Sequence, residues 1–283
     1  MARSSKKSYE IDMCNGPILP KLLRFSVPLT LSTMLQLLFN AADVVVVGRY
    51  AGDNSLAAVG STGSINFFVI GFCMGVCNGF AIPVAQRMGA REYGQMRRFV
   101  ANAAYLSALF ALVLTVATGL FCRNILVVMR TPADIIDNAY AYIFVIFMGI
   151  PATFLYNLLA AVIRSLGDSK TPVYFLALSS FLNIFLDFTL ILYFKAGVAG
   201  AAIATVTAQT VSGLACLVYM RKKYTILRTG KEERRLDGRS CRTLCMMGIP
   251  MGLQDSITAI GSIVLQSAVN TLGSTYVAAV AAG

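Results

Sequence analysis

Residues 173–194 read VYFLALSSFLNIFLDFTLILYF, an apolar run with an amide at Asn183 and an acid at Asp187 in its second half. About 20 predominantly apolar residues are enough to carry a helix across the ~30 Å hydrocarbon core of a bilayer. A charged side chain at that depth costs about 2.5–3.5 kcal/mol on insertion scales, so it is kept against a protein interior or a wet cavity. Residues 31–47, LSTMLQLLFNAADVVVV, repeat the pattern with Asn40 three residues before Asp43, as Asn183 stands four before Asp187. On a helix those intervals put amide and acid on one face. Two intramembrane acids, each backed by an amide, form the kind of arrangement that holds a cation or a proton.

The rest of the chain has the same character. Of 283 residues, 57% are hydrophobic and 13% charged, and the mean hydropathy is +0.70. A soluble domain carries about 25% charged residues. Seven apolar runs, near 20–48, 56–86, 98–122, 137–164, 172–194, 197–221 and 243–272, predict an all-α polytopic membrane protein. Ten-residue alternating strands are not seen, which sets a β-barrel aside. Pro28, Pro83, Pro151 and Pro250 fall inside these runs and invite kinks.

The net charge of +11 is not a nucleic-acid signature, because the basic residues gather in the gaps between spans. With the N-terminus in the cytoplasm, twenty lysines and arginines fall in cytoplasmic segments and four outside (Arg49, Arg123, Arg130 and Lys195). The expected location is therefore the cell membrane, with the N-terminus cytoplasmic and no nucleic-acid partner. Residues 1–17 lack a short apolar core with a cleavage site, so no removable signal peptide is expected. Cys73/Cys77 and Cys241/Cys245 are four apart, a helix-face spacing rather than a zinc knuckle, and the chain has no histidine. Without a histidine, a serine–histidine pair or a metal cluster, no enzyme is expected.

An internal repeat adds to the organisation. Val27-Pro28-Leu29-Thr30-Leu31 resembles Ile249-Pro250-Met251-Gly252-Leu253 at an offset of 222, and Gly52…Leu56-Ala57-Ala58-Val59 resembles Gly273…Val277-Ala278-Ala279-Val280 at 221. The first and seventh runs then read as copies of one element. Six spans intervene, so both copies start on the same side, as in parallel transporter repeats. The expected division is a cytoplasmic N-terminal segment (1–19), a six-helix N-lobe (20–221), a solvated basic linker (222–242) and the first helix of an incomplete C-lobe (243–283). On this reading the chain is a fragment whose missing C-lobe is needed for transport.

Depth along the spans selects the site. At ~1.5 Å rise per residue, Asp43, Asp187 and Thr205 all lie about 8–12 Å below the outer boundary, with Asn183 one turn deeper. Thr205 follows Gly197-Val198-Ala199-Gly200-Ala201-Ala202, a small-residue face that lets helices approach closely. Two carboxylates with amide and hydroxyl oxygens suit Na⁺, a hard cation, and the same acids could instead take up a proton. Gln36 and Asn40 are further polar candidates for a cavity on the first span. Asp255, near the start of the seventh run, is weaker and its role is left open.

These residues resemble the multidrug and toxic compound extrusion (MATE) family, particularly its prokaryotic branch. The resemblance rests on Pro28 and Asp43, Gly48…Gly52…Leu56-Ala57-Ala58-Val59-Gly60, and Ala85-Gln86…Gly89-Ala90. It continues through Arg164-Ser165-Leu166-Gly167-Asp168, Asn183…Asp187, and Gly197-Val198…Gly200-Ala201-Ala202…Ala204-Thr205…Gln209. It implies a twelve-helix antiporter of two six-helix lobes that exports drugs and organic cations in exchange for Na⁺ or H⁺, with no other cofactor. It also implies a coupling site at Asp43, Asn183, Asp187 and Thr205, with Tyr142 and Asn157 on the cavity wall. A lipid-linked oligosaccharide flippase of the same fold group, which would need a large cationic cavity, and a non-transporting membrane fragment are the alternatives.

Overall fold

The computed structural model describes residues 18–282 apart from Lys231; the N-terminal segment expected over 1–19, with Arg3, Lys6, Lys7 and Cys14, lies almost wholly outside them. Nine α-helices follow one another among the described residues. They are α1 (Ile18–Tyr50), α2 (Asp53–Gly89), α3 (Tyr93–Val128), α4 (Ile136–Met148), α5 (Ile150–Ser165), α6 (Lys170–Asp187), α7 (Gly197–Lys223), α8 (Gly238–Asn270) and α9 (Ser274–Ala282). A π-helical turn, Phe188–Tyr193, extends α6, and a 3₁₀ turn, Thr225–Leu227, follows α7. Among the described residues there is no strand.

Helices α1, α2, α3, α7 and α6 with its π turn are each long and apolar enough to cross a membrane, and α4 with α5 passes as a bent pair. The outward faces carry large apolar side chains, such as Leu120, Val128, Phe181 and Tyr193, all more than 70% exposed. In water those faces would be a liability; in lipid they are the expected solvent-facing surface. Helix α2 is central, with 56% of its most apolar window buried, against 11% for α1. The core around it is built from Val76, Phe80, Met96, Ile143, Phe147 and Phe154.

The expected fourth span is not one straight helix. It bends by 45° between α4 and α5. Pro151 has no N–H to give, and Gly149 is pressed so closely by Val206 of α7 that a Cβ would clash with it. Pro28, Pro83 and Pro250, by contrast, sit inside unbroken helices. The expected seventh span does form a helix, α8, but it is not among the helices apolar enough to span by composition. It lies against α2 through glycines: a Cβ on Gly75 would come within 2.5 Å of the Met251 carbonyl oxygen, and one on Gly79 within 2.5 Å of Gly248 Cα.

The two stretches that resemble each other in sequence share a device after their first helix, α1 and α8 respectively. Gly52 and Gly273 both take positive φ (88° and 100°), which is open to glycine at no steric cost, and each starts a new helix. Helices α6 and α8 share another. Asp168-Ser-Lys-Thr171 and Asp237-Gly-Arg-Ser240 each aim a carboxylate at the two backbone N–H groups and the hydroxyl that follow. This satisfies donors that a helix start leaves orphaned.

The segment after α7, expected as a solvated linker, is mostly exposed or half-buried among its described residues and is tied to α3 at a few points. Arg97 donates to Glu233 through Nε at 2.7 Å. Asn102 receives the Asp237 N–H at 3.1 Å and donates to the Arg235 carbonyl at 3.4 Å.

Candidate functional site

Asp43 is carried by the C-terminal third of α1, Asn183 and Asp187 by the end of α6, and Thr205 by the first turns of α7. The structure brings all four together. Asn183 Nδ2 donates to Thr205 Oγ1 at 3.0 Å, and Thr205 Oγ1 lies 3.5 Å from Asp43 Oδ2. Asp43 and Asp187 are near enough for a protonated carboxyl of one to hydrogen-bond the other. Asn183 and Asp187 are buried, and Asp43 is half-buried.

Local chain features explain the convergence. Helix α6 runs into its π turn directly after Asp187, where Phe194 N–H reaches back five residues to the Thr189 carbonyl at 3.2 Å. π-Helical turns are rare overall but frequent at functional sites. Gly200, with Leu190 and Ile191 against its bare Cα, lets α7 close on that turn. The small-residue run before Thr205 therefore packs as its composition suggests.

The electrostatics are one-sided. Asp43 Oδ1, both oxygens of Asp187 and Asn183 Oδ1 are buried with no hydrogen-bond partner among the described residues. Four unmatched acceptors, three of them carboxylate oxygens, make a site that lacks positive charge. The buried Tyr142 ring stands beside both acids.

One cavity adjoins the cluster and a second adjoins the first. The first, of about 490 Å³, is lined by Asp43, Gln36, Asn40, Asn66, Tyr142 and Thr205, among others. The other, of about 520 Å³, runs toward the opposite end of the bundle and takes in Gln36, Asn157, Asn78 and Arg164. Thr33, Gln36, Thr153 and Gln209, with Phe39, Ile70 and Met74, line both, so the two adjoin as one track of mixed polarity along the inner face of α1. Of the expected cavity residues, Tyr142 and Asn157 therefore face different halves of that track. Asn157 Nδ2 donates to the Thr153 carbonyl at 2.8 Å, and Thr153 Oγ1 donates to Gln209 Oε1 at 2.8 Å. Asp255 lines neither half. Asn66, Asn78, Thr153 and Arg164 escaped the sequence reading as site residues. Each is a polar group in or at the end of an apolar run, the same signal that singled out Asp43.

The MatE family model matches residues 28–189, the stretch that holds Asp43, Asn183 and Asp187. This chain is a member of the MatE family. The Probable multidrug resistance protein YoeA of Bacillus subtilis is 33% identical over 262 residues, covering 90% of this chain and 57% of its own length. The Probable multidrug resistance protein NorM of Thermotoga maritima is 26% identical, over 85% of this chain and 52% of its own. An inward-facing multidrug resistance MATE transporter of the MOP superfamily superimposes with a TM-score of 0.81 at 25% identity, over 91% of this chain and 60% of that one. An outward-facing structure reaches 0.85 at 24% identity and shows the shared fold. The MatE chain thus spans between half and two thirds of the length of these relatives.

Proposed function

We propose that this MatE chain forms the cation-coupling lobe of a secondary antiporter that exports drugs or organic cations in exchange for Na⁺ or H⁺. The observation that carries the reading is the cluster of unpartnered acceptors at Asp43, Asn183 and Asp187, with the Thr205 hydroxyl beside them. Buried carboxylates without donors call for a counter-charge, and a proton or a Na⁺ ion supplies it. Na⁺ would take the Asp43 and Asp187 oxygens, Asn183 Oδ1 and Thr205 Oγ1 as ligands. A proton would lie between the two carboxyls.

Coupling then follows from linkage. A cation that favours one arrangement of α1 against α6 and α7, and a substrate that favours the other, each lower the other's affinity by the same factor. The track beside the cluster gives the substrate a place within reach of that rearrangement. The outward release of substrate would require a second six-helix lobe, of which α8 and α9 are the start, with the basic segment cytoplasmic and the protein in the plasma membrane. A single guanidinium among the cavity-lining residues supports this reading over a lipid-linked flippase.

The test is ethidium efflux from vesicles carrying the two-lobed protein, driven in turn by a Na⁺ gradient and a pH gradient. Efflux should follow one of the two and disappear in Asp43→Asn. Cation-driven efflux that survives Asp43→Asn and Asp187→Asn together would overturn the assignment.

A further inference from the structure

Arg164, the one charged residue of α5, is half-buried and lines the 520 Å³ cavity. Its Nη2 donates to Asn78 Oδ1 on α2 at 3.1 Å, and the Tyr156 ring lies near it. Among the described residues it forms no ion pair. The acid closest in sequence, Asp168, is unable to serve. Its two oxygens already accept from Lys170 N, Thr171 N, Thr171 Oγ1, Tyr224 Oη and Lys223 Nζ.

A guanidinium has five N–H donors in a planar fork, and one amide oxygen satisfies a fraction of them. If the task were only to tie α5 to α2, a glutamine would do it without bringing a charge into an apolar lobe. The unpaired positive charge here stands opposite the unpartnered carboxylate oxygen of Asp43, which lines the adjoining cavity. The walls between are mixed, with an apolar side made by Phe25 and Leu29 of α1, Ile70 and Met74 of α2, and Leu176 of α6. A cavity of this volume holds a drug-sized molecule.

We propose that the Arg164 end of the track binds the anionic headgroup of an amphipathic organic acid, whose apolar chain lies between α1, α2 and α6. Arg164 and Asn78 hold the carboxylate or phosphate, and Phe25, Ile70 and Leu176 hold the chain. This site is independent of which cation the acid cluster takes.

The experiment uses the purified chain in phosphatidylcholine nanodiscs, titrated with 11-(dansylamino)undecanoic acid and with its neutral methyl ester. The wild type should bind the acid about tenfold more tightly than the ester, as a charge-assisted bidentate contact implies. Arg164→Gln should remove that preference and Arg164→Lys should keep part of it. Asn78→Asp leaves the arginine in place but gives it an internal partner, so it too should abolish the preference. That variant separates loss of the site from loss of the fold. Repeating the titration with phosphatidylglycerol in the discs identifies the source of the anion. A preference that persists assigns the site to a free amphipathic acid, and one that vanishes assigns it to an anionic lipid headgroup of the same chemistry. Equal binding of acid and ester by the wild type, or a preference that survives both Arg164→Gln and Asn78→Asp, would overturn the proposal.

Discussion

Thr205 Oγ1 lies 3.5 Å from Asp43 Oδ2, across 162 residues of chain, and on its other side it receives the Asn183 Nδ2 proton donor at 3.0 Å. The hydroxyl has one proton, which the Ala201 carbonyl can also take at 3.0 Å. Thr205 is thus the joint between α1, α6 and α7, and its oxygen is available to a cation when its proton turns to Ala201. Thr205→Val keeps the shape and removes that oxygen. It should weaken Na⁺ binding, or the proton-coupled step, by about tenfold, the scale of one lost hydrogen bond to a charged group, while Thr205→Ser should stay near wild type. Isothermal titration with NaCl across a pH series reads both variants, and equal behaviour of Val and Ser would remove Thr205 from the site.

Glycine spacing sets how closely α8 approaches α2. A Cβ on Gly79 would meet Gly248 Cα at 2.5 Å and Met247 O at 2.6 Å, and these backbone atoms have nowhere to move. On Gly71 the nearest atom, Asp255 O, is at 3.5 Å, an ordinary contact. Gly79→Ala should therefore destabilise by about 1–3 kcal/mol, as overpacking does, and Gly71→Ala by less than about 0.5 kcal/mol. Thermal unfolding in detergent distinguishes them. A Gly79→Ala midpoint equal to that of Gly71→Ala would mean that α8 does not lie against α2 at this distance.

Much of this geometry is legible in the chain because a bilayer permits few arrangements. Asp43, Asn183, Asp187 and Thr205 stand out as polar groups in apolar runs, and helix rise alone puts them within one helical turn of a common depth. The bend at Gly149 is not legible, since Pro28, Pro83 and Pro250 lie in similar contexts and leave their helices unbroken. What differs is Val206 pressing on Gly149, a contact that no local pattern reveals. Arg164 was hidden by its position at a span end, where a basic residue already satisfies the orientation rule. The pinning of the basic segment depends on Arg97 and Asn102, more than 130 positions from their partners.

Asp168 offers a pH-dependent check outside the membrane spans. Burial alone would raise its carboxyl, but hydrogen bonds from Tyr224 and Thr171 and the Lys223 charge outweigh burial and hold it below the usual range. A group depressed on folding contributes stability above its unfolded value, near ~3.9, and loses it as pH falls through the folded one. Asp168→Asn should thus lower stability by about 1–3 kcal/mol at neutral pH, with the gap to wild type narrowing below about pH 4. Melting temperatures of both proteins over that range test it, and a gap that widens in acid would contradict the assigned sign.

The basic segment between α7 and α8 should be released by cutting its tether to α3. Glu233 holds Arg97 with one oxygen and accepts the Gly230 N–H at 2.8 Å with the other, so one carboxylate fixes both the ion pair and the turn. Its carboxyl is held low first by the Arg97 hydrogen bond. A partly exposed pair of this kind contributes about 0.2–1 kcal/mol. Because local opening controls proteolysis, Arg97→Gln should speed tryptic cleavage at Arg234 and Arg235 by no more than about fivefold. Asn102 is a second anchor, through the Asp237 N–H and the Arg235 carbonyl. Arg97→Gln with Asn102→Ala should therefore exceed the product of the single effects, because either anchor alone still limits opening. Mass spectrometry of the nicked chain gives the rates site by site. Cleavage at Arg234 and Arg235 as fast in the wild type as in the double variant would show that α3 does not hold the segment.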